Sequence, residues 1–85
     1  MAYIPPTGDP PGFPGLERAT AKTPLPGAPG RFRKRWKDED GNIYEWDYQH
    51  GRLEKFNPRG VHQGEFDPVT GVQTKPADLT RRIKP

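Results

Sequence analysis

The chain has no cysteine and a single methionine in 85 residues. That excludes a disulfide scaffold, a cysteine-ligated zinc site and a thiol nucleophile, while leaving the redox compartment open. Large apolar residues are scarce as well. Only 29% of the chain is hydrophobic and the mean hydropathy is −1.08. One small core is therefore the most it can build, with no room for a nucleotide-binding α/β sheet, a barrel enzyme or a deep substrate cavity. No apolar run nears the roughly 20 residues of a membrane span. The opening MAYIPPTGDP lacks the basic start and apolar stretch of a secretory leader, so export is expected to depend on a leader or carrier outside this chain.

What is present is unevenly spread. Residues 1–30 hold 8 of the 12 prolines and 5 of the 10 glycines and carry no net charge. Proline removes backbone donors and keeps the preceding residue extended. This segment reads as a linker or extended Pro-rich arm, with one helical turn possible over Leu16–Lys22. Residues 31–85 carry the whole net charge of +3, from 12 Lys and Arg against 9 Asp and Glu. They also hold both tryptophans. This is the expected folded unit.

Turn signals punctuate it: Asp40-Gly41-Asn42, His50-Gly51, Pro58-Arg59-Gly60 and Asp67-Pro68-Val69-Thr70-Gly71. Short runs rich in aromatic and β-branched residues lie between them. The pattern predicts a mainly β (α+β) domain: a small antiparallel meander of four or five strands with a short N-terminal helix or the extended arm. Strands are expected near Arg33–Lys37, Asn42–Asp47, Arg52–Phe56, Gln63–Phe66 and Val72–Lys75.

Alternation assigns the faces. Tyr44, Trp46 and Tyr48 point one way, and Ile43, Glu45 and Asp47 the other. A four-residue turn, Tyr48-Gln49-His50-Gly51, pairs Asp47 with Arg52, Trp46 with Leu53 and Glu45 with Glu54. A slip of one residue would set Glu54 against Trp46 and destroy that sorting. The sheet is thus expected to have a packed aromatic face, with Trp36 and Trp46 in the core, and a charged face carrying Glu45, Asp47, Arg52 and Glu54 with His50 at the turn.

A charged face on a small sheet is often merely solvated. Here three acidic groups crowd one hairpin of a basic protein, and like charges on facing strands need compensation. His50 is within reach of Asp47 and Glu54. Cations flank the cluster: Arg31, Arg33, Lys34, Arg35 and Lys37 before it, Arg81, Arg82 and Lys84 after it. Carboxylate, imidazole and guanidinium suffice for metal-free RNA cleavage. A base takes the ribose 2′-OH proton, the alkoxide attacks the adjacent phosphorus, and an acid protonates the leaving 5′ oxygen while a cation steadies the phosphorane. The run Arg31-Phe32-Arg33-Lys34-Arg35-Trp36-Lys37 suits phosphate contact and base stacking, or equally a charge-protected edge strand. A metal site drawn from His50 and His62 with Asp47, Glu54 or Asp67 matches no established spacing, and no cofactor is expected. Two rival readings are a non-catalytic RNA- or ribosome-binding module and a WW-like proline-binding module. The second Trp, ten residues after the first inside the middle strand, is misplaced for the latter.

KRW, then IYEWDYQHGRLE, then HQGEFDPVTGVQ, then a Lys/Arg-rich tail resemble the cytotoxic ribonuclease domain of ribosome-inactivating E-type colicins and cloacin, found also in some pyocins and contact-dependent growth inhibition toxins. The resemblance covers about 34–84 and is ungapped through the hairpin. It implies a bacterial toxin that cuts 16S ribosomal RNA in the decoding A site of the 30S subunit, delivered by a larger protein into the target cytoplasm. It also implies a strongly twisted antiparallel sheet and a tight one-to-one complex with an acidic immunity protein. The domain alone is expected to be monomeric. By the same resemblance Asp47, His50 and Glu54 match the catalytic triplet and Arg81 the catalytic arginine. Glu54 is then the general base, His50 the general acid or a group that tunes Glu54, Asp47 the orienting carboxylate and Arg81 the phosphorane stabiliser. RNA contacts are expected from Arg33, Lys34, Arg35, Lys37, Arg82 and Lys84, with Tyr44 and Phe56 as nearby candidates for stacking on the RNA or for packing. Phe56 stands where the family usually has Tyr, the turn Asn57–Gly60 is about one residue shorter, and Arg82 replaces a neutral residue beside Arg81.

Overall fold

The computed structural model describes residues 3–85. Six strands form one sheet: β1 (Glu17–Ala19), β2 (Arg35–Lys37), β3 (Ile43–Asp47), β4 (Arg52–Phe56), β5 (His62–Phe66) and β6 (Gln73–Lys75). Each pairs antiparallel with the next in chain order, so the sheet is a simple meander. No helix occurs among the described residues. Where one helical turn was expected over Leu16–Lys22, the chain is extended and Glu17–Ala19 pairs with Lys37–Arg35 as an edge strand. Backbone pairing with β2 satisfies donors that an isolated turn before Thr23-Pro24 would leave to solvent.

The central hairpin has the register expected from alternation. Asp47 faces Arg52, Trp46 faces Leu53 and Glu45 faces Glu54. The turn closes through the Gly51 amide, which donates to the Asp47 carbonyl at 2.8 Å, with Gly51 in the left-handed region at φ 65°. The flanking strands are shorter than expected at their starts. Arg33 and Lys34 precede β2, and Val72 precedes β6. At β5 the strand begins one residue earlier, at His62.

One face of the sheet is aromatic. Trp36, Tyr44, Trp46 and Leu53 are buried there, with Phe13, Leu16, Tyr48 and Phe66 packed against them. The proline-rich arm covers this face. Both tryptophan indoles are anchored by it: Trp46 Nε1 donates to the Ile4 carbonyl at 2.7 Å and Trp36 Nε1 to Asp9 Oδ1 at 2.9 Å. The Ile4 amide in turn donates to the Tyr48 carbonyl at 2.7 Å. Farther along, the Gly12 amide donates to the Pro68 carbonyl at 2.8 Å. Proline suits this role, since an extended covering segment has few donors of its own to satisfy.

The opposite face carries the charges, and it too is closed over. Glu45, Asp47, Glu54 and Glu65 are buried there together with Ile43 and Phe56. After β1 the arm crosses to this side, where Thr23 Oγ1 donates to Glu45 Oε2 at 2.5 Å. The C-terminal segment returns along the start of β5. The His62 amide donates to the Arg81 carbonyl at 3.1 Å and the Ile83 amide to the Gly60 carbonyl at 2.9 Å.

Candidate active site

The pairing register sets a row of side chains across the sheet on the charged face: Arg35, Glu45, Glu54, Glu65 and Lys75, one from each of five consecutive strands. Three carboxylates side by side would repel one another. Each has its own compensation. Glu45 Oε2 accepts from Arg35 Nη2 at 2.7 Å and Nε at 3.1 Å, both residues being 1% exposed. Glu65 Oε2 accepts from Thr74 Oγ1 at 2.7 Å, with Lys75 Nζ 4.0 Å from its other oxygen. Glu54, in the middle, takes two donors on one oxygen: His62 Nε2 at 2.7 Å and Arg81 Nη1 at 2.8 Å. Its second oxygen remains for other chemistry.

The His62 tautomer follows from its partners. The Asp78 amide donates to His62 Nδ1 at 2.9 Å, so Nδ1 is unprotonated and Nε2 carries the hydrogen that goes to Glu54. His62 is 2% exposed and edge-on to Phe56 at 5.3 Å between ring centroids. It is a fixed donor that holds the Glu54 carboxylate in place. Alternation alone would direct His62 to the aromatic side, two residues from Gly64. A β-bulge shifts the register between Lys55 and Phe56 and sets His62 opposite Phe56 on the charged face. Gly64 sits at this irregularity with φ 138°, and a Cβ there would lie 2.8 Å from the Lys75 carbonyl oxygen.

A second acid–imidazole pair stands at the β3–β4 turn. His50 Nδ1 lies 2.7 Å from Asp47 Oδ2, and the amides of Gln49 and His50 donate to Asp47 Oδ1 at 2.8 and 3.3 Å. Burial pushes the Asp47 carboxyl upward. The His50 ring, the two amides and the His50 charge outweigh it and hold the carboxyl below its ordinary value of 3.8. His50 is about half exposed and Asp47 is not, at 49% against 11% of the side chain. The imidazole is thus tethered at Nδ1 and presents Nε2 outward.

Asp47, His50, Glu54 and Arg81 all line one cavity of about 210 Å³, with His62, Glu65, Lys75 and Asp78 completing its wall. Arg81, rather than Arg82, reaches Glu54, and its guanidinium carbon sits 5.9 Å from the centre of the Phe56 ring. Asp47, His50 and Glu65 each offer a donor atom within 4.8 Å of the others, so among the described residues these three could gather round a cation. His62, Glu54 and Asp67 do not belong to that group.

The remaining sequence candidates divide. Lys37, Arg82 and Lys84 are exposed and Arg33 and Lys34 partly so, which leaves them available to a polyanion. Arg35 is not available, since its guanidinium is spent on Glu45 inside the fold. Tyr44 and Phe56 are also buried, 4% and 1% exposed, so neither can stack on a base. Tyr44 packs against Phe13 and donates to Asp38 Oδ2 at 3.0 Å. Burial and that carboxylate push its phenol well up. In all three cases the side chain serves the fold: Arg35 pairs with Glu45, Tyr44 belongs to the aromatic core and Phe56 packs edge-on against His62. Glu65 carries no separate signal in the sequence, and His62 only that of a candidate metal ligand. Their roles come from cross-strand neighbours that only the paired sheet defines.

A family model described as Cytotoxic matches residues 4–84. The chain belongs to the Cytotoxic family. This Cytotoxic domain is 43% identical to cloacin of Escherichia coli over 81 residues, or 94% of the chain. It is 47% identical to colicin E3 over 75 residues, 86% of the chain, and 45% identical to colicin-E6 over 82 residues, 94% of the chain, both of Escherichia coli. It spans only 14% of cloacin, 13% of colicin E3 and 15% of colicin-E6. The likeness drawn from the hairpin and the basic tail therefore extends into the arm.

Proposed function

We propose that this Cytotoxic domain is a metal-independent endoribonuclease that cuts 16S ribosomal RNA in the decoding A site. The observation that carries the reading is the convergence on one cavity of a doubly anchored carboxylate, Glu54, and a tethered imidazole, His50. Glu54 accepts the 2′-OH proton on its free oxygen. The 2′ oxygen forms a bond to phosphorus as the bond to the 5′ oxygen breaks. His50 Nε2 delivers a proton to that leaving oxygen, and Asp47 balances the charge the ring carries as an acid. Arg81, 2.8 Å from Glu54 in the wall of the same cavity, neutralises the charge on the phosphorane oxygens. The products are a 2′,3′-cyclic phosphate and a 5′-OH.

The exposed cations Lys37, Arg82 and Lys84 favour encounter with the 30S subunit. An acidic immunity protein would use the same cations, forming a one-to-one complex with an otherwise monomeric domain. The parent protein is secreted or otherwise delivered, and the domain acts in the cytoplasm of the target bacterium.

The test is to add the domain to bacterial ribosomes and map the ends of the ribosomal RNA. One new 3′ fragment of small-subunit RNA is expected, with full activity in EDTA. Glu54→Gln and His50→Ala should each lower the rate by about 10²–10⁴-fold. Tight ribosome binding without cleavage would favour a binding module instead, and loss of activity in chelator would redirect attention to Asp47, His50 and Glu65 as cation ligands.

A further inference from the structure

A second cavity, of about 250 Å³, shares Asp47 with the catalytic one. Tyr3, Leu25, Ala28, Arg33 and Tyr48 line it, so its walls come from the proline-rich arm and the start of the β3–β4 turn. We propose that it is a subsite for one unpaired nucleobase of the RNA, from a nucleotide adjoining the scissile phosphodiester. This deepens the nuclease reading and rests on it.

Three observations converge. The first is the wall. Tyr3 and Tyr48 stack with ring centroids 5.1 Å apart and planes 29° from parallel, beside the aliphatic Leu25 and Ala28. A flat π-system packs well on such a surface, whichever base it is. The second is a donor in want of an acceptor. Arg33 Nε is buried and has no hydrogen-bond partner. Leaving a buried N–H unpaired is costly, and a ring nitrogen or carbonyl oxygen on a base edge would satisfy it once a turn of the Arg33 side chain brings Nε to the cavity surface. An aliphatic side chain of a protein partner would leave it unpaired, and a phosphate alone would leave the aromatic wall unused. The third is size. Pockets for drug-sized ligands run to about 300–1,000 Å³, so this smaller one suits a single ring system.

Position explains why the site matters. Asp47 tethers His50 in one cavity and forms part of the wall of the other. A base seated against that wall fixes its own ribose and phosphate near the His50 imidazole. Recognition of RNA by splayed-out, stacked bases accords with a target whose grooves are poorly readable. The arm is then a part of the substrate site and more than a cover for the tryptophans.

Isotope-labelled Glu54→Gln domain, titrated with guanosine 5′-monophosphate, tests the site without requiring cleavage. The amide resonances of Gly27, Ala28 and Gln49 should move saturably, and ribose 5-phosphate, which lacks the base, should not move them. Ala28→Leu, which fills the cavity from an arm residue that touches no catalytic group, should abolish the shifts. In the otherwise wild-type domain the same substitution should lower kcat/KM on ribosomes by about tenfold or more, the scale of one lost stacked base. The proposal is overturned if the nucleotide leaves these amides unmoved, if it shifts only residues near Arg81, or if ribose 5-phosphate acts equally. Should Ala28→Leu fail to fold, the two titrations of the Glu54→Gln domain still decide. Shifts at the arm in a domain that cuts no RNA would retain the subsite and refute the nuclease instead.

Discussion

The two faces of the sheet are both buried, but by different means. On the aromatic face Trp36, Trp46, Tyr44 and Leu53 exclude water by bulk, and the arm is fastened there through the two indole N–H groups. On the charged face Arg35, Glu45, Glu54 and Glu65 are equally inaccessible, and what stabilises them is pairing: each carboxylate has a cation or hydrogen-bond donor placed against it. Apolar packing is tolerant of small changes in position, whereas a buried ion pair is not. The charged face can therefore hold reactive groups in a fixed geometry, and the aromatic face supplies the stability that permits it.

That contrast can be broken most sharply at Arg35. Arg35→Ala leaves Glu45 buried without its partner and should cost about 3–5 kcal/mol of stability in urea unfolding. Replacing Trp46 by Phe, which keeps most of the apolar bulk, should cost clearly less. Equal costs would mean that the two faces are held in the same way.

A smaller effect is expected at the bulge. His62→Leu removes one of two donors to Glu54, a charge-assisted bond worth about 1.5–3 kcal/mol, so ribosome cleavage should fall by roughly 10- to 100-fold. Because a positioning role acts through Glu54, the pH profile of kcat/KM should shift along with the rate, and Glu54→Gln should be no worse when combined with His62→Leu. Additive losses would remove His62 from the site.

Acid sensitivity separates the faces more gently. The Asp47 carboxyl is held below 3.8 in the fold. Its contribution to stability is complete above the unfolded value, near 3.9, and is lost as pH falls through the lower folded value. The urea midpoint of Asp47→Asn should accordingly depend less on pH in the acid range than that of the parent. An unchanged acid dependence would contradict the hydrogen bonding seen at Asp47. Least of all, Lys37→Ala or Arg82→Ala should weaken ribosome binding slightly and reduce the slope of log affinity against log salt by about 1 each, leaving stability unchanged.

Much of this was legible from residue order. Turn residues separated the strands, and alternation in IYEWDYQHGRLE sorted aromatic from acidic side chains. Asp47, His50 and Glu54 follow from that hairpin alone, because a tight turn admits few registers. The arm was less legible. Proline content argues for extension but is silent on what the segment lies against, and the pairing of Glu17–Ala19 with β2 appears only in three dimensions. Arg35, Tyr44 and Phe56 were expected among the RNA contacts, yet partners distant in the chain bury each of them: Glu45 and Thr23, Phe13, and His62 with Arg81.

By itself the sequence determined the order of the five strands after the arm, the register of the central hairpin and the gathering of two acids and an imidazole at its end. These are local matters, settled by turn chemistry and a two-residue period. The tertiary structure decided that His62 faces Glu54, that Arg81 rather than Arg82 closes the cavity, and that the arm walls a second one. Those outcomes rest on a bulge and on contacts between residues far apart in the chain, which no local pattern encodes.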